Sequence, residues 1–230
     1  MSQRRRDLLL LLLLLLTACT SPPAPPPLEE LGIISRYEWD AAPPNHTVHG
    51  EHGFFDPERN PTGWMEYPEP LSEMLATVVV HHSALPLSDG PRKIQQKHVG
   101  IGFADIGYHF VIDAEGRIYE GRRLTARGAH TGGYNTGSVG IVLLGNFEID
   151  EPTAAQMASL AALVGSLAEA YNLTHLAGHR DFQPEVTDCP GDFLEARLPG
   201  LAQELGLEFG TAGYAGPQVI QSWSAYHGEE

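Results

Sequence analysis

The run from Ala76 to His82, which reads ATVVVHH, constrains the fold of this chain more than any other segment. Consecutive valines favour a strand, because branched side chains pack well on a pleated sheet. A strand that is apolar on both faces, without alternation, is typical of the buried centre of a sheet. The chain therefore predicts a sheet in which this strand is central and ends in two histidines.

Helical and strand patterns alternate along the rest of the chain. The clearest helix spans Thr153–Tyr171, where Thr153 and Gln156 match a capping box. We expect strands at 107–113 and 117–121 joined as a hairpin at 114–116, strands at 138–147 and 175–178, an initial strand within 32–40, and helices at 88–98 and 192–205, the last interrupted at Pro199-Gly200. This interleaving predicts an α/β fold: a single domain with a central mixed β-sheet flanked by helices.

Residues 41–74 are rich in proline, glycine, asparagine and acidic side chains and show no periodicity, which predicts a long surface loop. The loop contains His46, His49 and His52 at three-residue spacing. A metal site at this trio is an open alternative, although no helical pattern would bring the three rings together.

The N-terminus carries the pattern of an export signal. Residues 4–6 are arginines, and the nine leucines of 8–16 span only about 14 Å as a helix, too short to cross a bilayer. Residues 16–19 (LTAC) resemble the bacterial lipobox, whose cysteine is acylated and becomes the first residue of the mature protein. A short anchor that stays in place is the alternative.

These features divide the chain into four parts. We expect a lipoprotein signal peptide at 1–18, a lipid-anchored proline-rich linker at 19–31, the folded domain at 32–207 and a C-terminal tail at 208–230. Cys19 is the expected lipidation site, so that the lipid provides the contact with the membrane. Because Thr20 follows it where an aspartate would favour retention at an inner membrane, we expect the periplasmic face of the outer membrane in a host with two membranes.

The charge balance excludes strongly acidic partners. The chain has 14 basic and 29 acidic side chains and a net charge of −15, and removing residues 1–18, which carry a net +2, leaves −17. Such a chain repels nucleic-acid phosphates and anionic headgroups, so no nucleic acid is expected as a partner. Of the two cysteines, Cys19 is expected to carry lipid, which leaves Cys189 without a disulfide partner in the chain.

Residue types that bind metal occur at the ends of expected strands and in one later loop. His81 and His82 end the central strand, His179 follows the strand at 175–178, and Cys189 lies ten residues further on. Imidazole nitrogen and thiolate sulfur are preferred zinc donors, and three protein ligands leave a position free for water, as in catalytic sites. Taken singly, each residue is more readily explained by a structural role.

The motifs are more specific as an ordered set. The chain carries SRYEW (35–39), VVVHHSA (78–84), DIGYHFVI (105–112), GRIYEGR (116–122), GAHT (128–131), YN (134–135), VGI (139–141), GHRD (178–181) and TDCPG (187–191). In content and order these stretches resemble the peptidoglycan recognition protein and type 2 N-acetylmuramoyl-L-alanine amidase family. The resemblance covers about residues 32–207 and implies that family's fold.

The resemblance implies a zinc ion held by His81, His179 and Cys189. The resemblance also implies that His82 faces the substrate groove, which agrees with the rule that adjacent strand residues point to opposite faces. Tyr108 matches the family's catalytic tyrosine, and Thr187 stands where some relatives have lysine; both are implied to stabilise the oxyanion. Without the motif, Tyr108 would be interpreted as a rim aromatic and Thr187 as an ordinary turn residue. The residues implied to contact substrate are His82, Arg127, His130, Tyr134 and Asn135.

The implied function is that of a monomeric, zinc-dependent amidase of peptidoglycan or its muropeptide fragments. It would hydrolyse the amide between the lactyl group of N-acetylmuramic acid and L-alanine during cell-wall remodelling or turnover. One alternative is a lipoprotein that binds peptidoglycan without cutting it. Another is a different metallopeptidase, although the chain lacks a His-Glu-x-x-His signature. A purely structural lipoprotein, the third, would leave the metal-binding residues unexplained.

Overall fold

The structure is a computed structural model, and it describes residues 24–45, 66–67 and 70–214. Within these ranges the strands are β1 (Thr77–His82), β2 (Phe110–Ile112), β3 (Ile118–Glu120), β4 (Ser138–Leu143), β5 (His175–Gly178) and β6 (Glu208–Phe209). The α-helices are α1 (Leu71–Met74), α2 (Pro91–Gly100), α3 (Ala154–Tyr171), α4 (His179–Phe182), α5 (Asp192–Glu195) and α6 (Leu198–Leu205). A 3-10 helix at Leu28–Glu30 precedes them.

The strands form one mixed sheet in the order β3-β2-β4-β1-β5-β6. Neighbouring strands run parallel except β2 and β3, which form the predicted antiparallel hairpin. β1 lies between β4 and β5, with Val80 opposite both Ile141 and Gly178. The prediction of a central mixed sheet flanked by helices, with the valine-rich strand in its interior, is confirmed.

The valines of β1 are buried on both faces of the sheet. Val78 and Val80 belong to the main core, which includes the apolar face of α3, whereas Val79 packs with Ala177 and Phe182. All three valines are inaccessible to solvent. Burying a valine contributes roughly 1.5–3 kcal/mol, so the core fixes the strand that leads into the two histidines.

Helix α3 begins at the predicted capping box. Gln156 N–H donates to Thr153 Oγ1 at 3.0 Å, and Thr153 N–H donates to Gln156 Oε1 at 3.0 Å. A cap of this kind contributes about 1 kcal/mol. The helix ends at Tyr171, and Asn172 adopts the left-handed conformation that closes many helices. The prediction for this helix is confirmed.

The prediction of an initial strand within 32–40 is wrong in extent. Ile34 forms a single bridge to Tyr119, and a turn begins at Arg36. After this bridge the segment contacts the sheet through a side chain: Trp39 Nε1–H donates to Glu120 O at 2.8 Å. The backbone of this segment is therefore released from the sheet after one bridge.

The helix predicted at 192–205 is interrupted, but at a different point. The break between α5 and α6 falls at residues 196–197 instead of Pro199-Gly200. Pro199 lies in the first turn of α6, where a missing backbone N–H has no intrahelical partner to lose. The proline therefore begins the second helix and does not break the first.

Several predictions concern segments at or beyond the limits of the described residues. Strand β6 pairs with β5 inside the segment expected to be a tail, and Ser166 Oγ–H donates to Pro26 O of the expected linker at 2.5 Å.

No helix in the described ranges is long and apolar enough to span a membrane. The signal peptide, Cys19 and the histidine trio at 46, 49 and 52 lie outside the described residues, so their predicted roles stay predictions.

His109 is a buried base that the fold keeps neutral. Gly140 N–H donates to its Nδ1 at 2.9 Å, and its Nε2–H donates to Ala126 O at 3.1 Å. Its side chain is fully buried, and burial lowers the pKa of His109 from 6.5 to about 4. The bond at Nδ1 also requires the neutral ring, because a protonated nitrogen cannot accept.

This burial predicts a loss of stability in mild acid. The folded pKa lies below the unfolded one, so the stabilisation is complete above pH 6.5 and is lost as the pH falls towards 4. We expect His109 alone to reduce the free energy of unfolding by about 3 kcal/mol across that range. Urea denaturation of wild type and His109→Gln at several pH values measures this, and the variant should decline less steeply. Equal slopes for both proteins would contradict the prediction.

Candidate metal centre and substrate cleft

Two predicted ligands meet because their strands are neighbours. His81 lies near the end of β1, and His179 follows directly after β5. The pairing of Val80 with Gly178 in parallel strands puts the two histidines at the same level of the sheet. Their ring centroids are 4.6 Å apart. His81 is fully buried, whereas His179 is half-buried.

The third predicted ligand, Cys189, lies on a loop that Arg180 holds in place. The backbone N–H of Arg180 donates to Cys189 O at 2.7 Å, and its guanidinium donates to Asp188 O. The same guanidinium pairs with Glu148 at 2.7 Å and with Asp192 at 2.6 Å. These contacts anchor the loop on both sides of the cysteine and aim it at the end of β1.

The donor atoms of the three residues all lie within 4.8 Å of one another. Cys189 Sγ is 3.6 Å from His81 Nδ1, and the His82 backbone N–H donates to the sulfur at 3.4 Å. In the part of the chain that the structure describes, no second group of histidine, cysteine and carboxylate side chains is as compact. The fold therefore gathers the three residues that the sequence singled out.

The electrostatics of the cluster suit a zinc ion. Burial, and next the neighbouring His179, lowers the pKa of His81 well below 6.5, and burial lowers the pKa of His179. Both rings are therefore neutral near pH 7, as coordination requires. Burial raises the pKa of Cys189 to about 12, so its thiolate needs a cation beside it. Two neutral imidazoles and a buried thiol form a donor set that fits zinc.

His130 lies behind His81. His130 Nδ1 is 3.1 Å from His81 Nε2, which leaves His81 Nδ1 on the side of Cys189. The ring fits because residues 128 and 140 are glycines; a Cβ on either would lie 2.5 Å from His130 Cδ2. The structure thus places His130, which was predicted to contact substrate, against a candidate metal ligand.

Tyr108 lies beside the cluster. Its ring centroid is 4.9 Å from that of His81 and 5.1 Å from that of His98. Burial, and to a lesser extent Cys189, raises the pKa of Tyr108 above its usual value of 10. The phenol therefore stays protonated and can donate a hydrogen bond. Its catalytic role stays a prediction.

Thr187 supports the cysteine loop from within. The backbone N–H of Cys189 donates to Thr187 Oγ1 at 3.1 Å, so this oxygen acts as an acceptor in the turn. The hydroxyl hydrogen remains available as a donor, because a threonine hydroxyl both accepts and donates. Thr187 therefore has a structural role in the turn, and its catalytic role stays a prediction.

A cleft of about 240 Å³ adjoins Tyr108. Three of the residues predicted to contact substrate line it, namely Arg127, His130 and Asn135. Asn135 Oδ1 accepts from His130 N–H at 2.7 Å and from Thr131 N–H at 2.8 Å, so this oxygen closes the loop on itself. Two of the predicted substrate residues therefore also shape the wall of the cleft.

Tyr134 and His82, also predicted to contact substrate, are not among the residues lining this cleft. The Tyr134 ring packs with those of Phe182 at 5.0 Å and Tyr214 at 5.2 Å between centroids. His82 Nδ1 accepts from Phe147 N–H at 3.3 Å, and burial lowers the pKa of His82 to about 4. Substrate contacts by these two residues stay predictions.

Sequence reasoning missed His98 and Thr131, which line the same cleft. His98 Nδ1 accepts from Gly107 N–H at 2.8 Å, and burial lowers the pKa of His98 to about 4. Its neutral ring therefore carries its hydrogen on Nε2. Thr131 stands next to His130 in the GAHT stretch, so its place in the motif was the available signal; His98 lay at the end of an expected helix, with no motif around it.

Comparison with known proteins identifies the relatives of this chain. The family model described as N-acetylmuramoyl-L-alanine amidase matches residues 72–192, a range that includes all three candidate ligands. The peptidoglycan-recognition protein SD of Drosophila simulans is 32% identical over 193 residues, which cover 76% of this chain and 90% of the relative.

Solved structures lead to the same group of proteins. The N-acetylmuramoyl-L-alanine amidase LysC from Clostridium intestinale URNW is 34% identical, with a TM-score of 0.55 over 63% of this chain and 93% of that one. Peptidoglycan recognition protein-LE, solved in complex with tracheal cytotoxin, a monomeric diaminopimelic acid-type peptidoglycan, is 29% identical, with a TM-score of 0.58 over 74% and 93%. These neighbours confirm the predicted fold.

Proposed function

The chain belongs to the N-acetylmuramoyl-L-alanine amidase family, and from that premise we propose that it is itself a zinc-dependent amidase. It hydrolyses the amide between the lactyl group of N-acetylmuramic acid and L-alanine in peptidoglycan, in cell-wall remodelling or turnover. The observation that carries this proposal is the convergence of His81, His179 and Cys189 within 4.8 Å, next to His130, which lines the cleft. Relatives include both amidases and recognition proteins, and the three gathered ligands favour cleavage over binding alone.

In the proposed reaction His81, His179 and Cys189 hold zinc. When bound, the ion lowers the pKa of a water molecule towards neutrality and polarises the scissile carbonyl. Tyr108 donates a hydrogen bond from its neutral phenol to the oxyanion that develops on that carbonyl. Thr187 adds a second donor without adding charge. The two histidines and the phenol add no positive charge of their own to the site.

The cleft beside Tyr108 suits a muramyl peptide. Arg127 provides a positive charge on its wall, and arginine matches carboxylates of the kind that stem peptides carry. Its Nε–H donates to Thr136 Oγ1 at 3.0 Å, which fixes the orientation of the guanidinium. A relative solved with monomeric peptidoglycan has the same fold, which supports this substrate class for the proposed enzyme.

The test is a digest combined with a metal assay. Purified protein is expected to contain about one zinc per chain and to release intact stem peptides that begin with L-alanine, identified by mass spectrometry of muropeptides. A chelator should stop the reaction, and added zinc should restore it. Protein that binds muropeptides without releasing peptides would instead be a recognition protein. Cleavage within the stem would identify a peptidase.

We also propose that the enzyme is anchored by lipid at the periplasmic face of the outer membrane. The support is the LTAC motif that ends in Cys19, together with a proline-rich stretch after it. Cells supplied with radioactive palmitate should label the wild-type chain and leave Cys19→Ala unlabelled. Equal labelling of both proteins would refute the anchor.

A further inference from the structure

Gln183, which neither the motifs nor the proposed reaction uses, connects the candidate metal centre to the cleft. It follows α4 and lies four residues after His179, a spacing that puts both side chains on one face of a helical turn. His179 Nε2 and Gln183 Oε1 are 2.9 Å apart, and Gln183 Nε2–H donates to Gly132 O at 3.0 Å. Gly132 lines the cleft.

The two contacts together determine where the hydrogen on His179 lies. A backbone carbonyl only accepts, so the NH₂ group of the amide must face Gly132 O. The carbonyl oxygen of the amide therefore faces His179 and accepts from it. Because that oxygen has no hydrogen to give, His179 must carry its hydrogen on Nε2, and the lone pair is on Nδ1.

The same side chain joins the two histidine ligands through the cleft loop. Gly132 lies two residues after His130, whose Nδ1 is 3.1 Å from His81 Nε2. The chain of contacts therefore runs from His179 through Gln183 to the loop, and back through His130 to His81. The metal ligands and the cleft wall are held in one network.

We propose that Gln183 is a positioning residue for the metal centre. Its amide selects the tautomer of His179 that presents Nδ1 to the zinc ion, and it holds that ligand in register with the cleft loop at Gly132. This inference rests on the proposed function for the zinc ion.

Two substitutions separate the two contacts. Gln183→Met keeps the length of the side chain but removes both hydrogen bonds. Gln183→Glu keeps an acceptor for His179 but cannot donate to Gly132 O. Gln203→Met, on an exposed position of α6, is the matched control.

The first readout is the tautomer of His179, measured by long-range ¹H–¹⁵N NMR on the metal-free full chain. Wild type, the control and Gln183→Glu should show the hydrogen on Nε2, and Gln183→Met should show a mixture. The second is zinc affinity by chelator competition, which should fall roughly 10- to 100-fold in Gln183→Met, as for other groups that orient ligands. Gln183→Glu should retain zinc but show a raised KM, because the cleft loop has lost its contact.

Wild type with the hydrogen on Nδ1 of His179, or Gln183→Met with unchanged tautomer and zinc affinity, overturns the inference. Circular dichroism on each variant establishes that it is folded. Failure of the proposed function has a different signature, because a wild-type chain that takes up no zinc would still report its tautomer by NMR.

Discussion

Replacing Cys189 with serine is expected to eliminate stable zinc binding and to reduce amidase activity by about a thousandfold or more, since the Lewis acid contributes several kcal/mol to the transition state. Serine is close in size, but its hydroxyl does not ionise near neutral pH. The buried site would then offer two neutral imidazoles and no anion. The zinc ion would lose the one negatively charged ligand of the three, which neutralises part of its charge.

The measurement is zinc content and the rate of stem release for Cys189→Ser, wild type and a matched control. Cys19→Ser is that control, because it makes the same chemical change at the other cysteine, outside the described domain. We expect it to keep its zinc and, in detergent solution, its activity. A Cys189→Ser protein that retains the metal and cleaves at the wild-type rate would refute the proposed ligand set.

The ligand set shows how far local sequence rules reach. Alternation along β1 required His81 and His82 to point to opposite sides, and the structure puts His81 beside His179 and His82 against Phe147. Alternation alone could not predict which of the two histidines would hold the metal. That choice depends on the register of β1 with β5 and on the loop that brings Cys189 back, both of which are long-range contacts.

For the predicted substrate residues, the sequence did not show how each side chain is used. Asn135 was predicted to bind substrate, yet its Oδ1 closes the cleft loop through two backbone N–H groups. Whether a side-chain oxygen bonds to backbone or to substrate depends on the conformation of the backbone around it. A glycine-rich loop has weak conformational preferences, so the sequence does not predict that conformation. Gln183 was missed for a similar reason: α4 has only four residues, too few to show a period.

Replacing Tyr108 with phenylalanine is expected to lower kcat by about 100- to 1000-fold, the usual cost of removing one donor to an oxyanion. The ring stays, so its packing with His81 and His98 is kept. Zinc affinity and KM should therefore change little. Because burial raises the pKa of Tyr108, its hydroxyl should add no ionisation to the pH–rate profile between pH 6 and 9.

Steady-state kinetics and chelator competition on Tyr108→Phe test these expectations together, with Tyr37→Phe at a 93% exposed position as the control. A donor that acts only on the developing charge changes kcat and kcat/KM equally. If KM rose while kcat stayed constant, Tyr108 would be a substrate contact in the cleft wall. If zinc affinity fell instead, the hydroxyl would be supporting the metal centre, and the oxyanion would have to be stabilised by the metal and Thr187 alone.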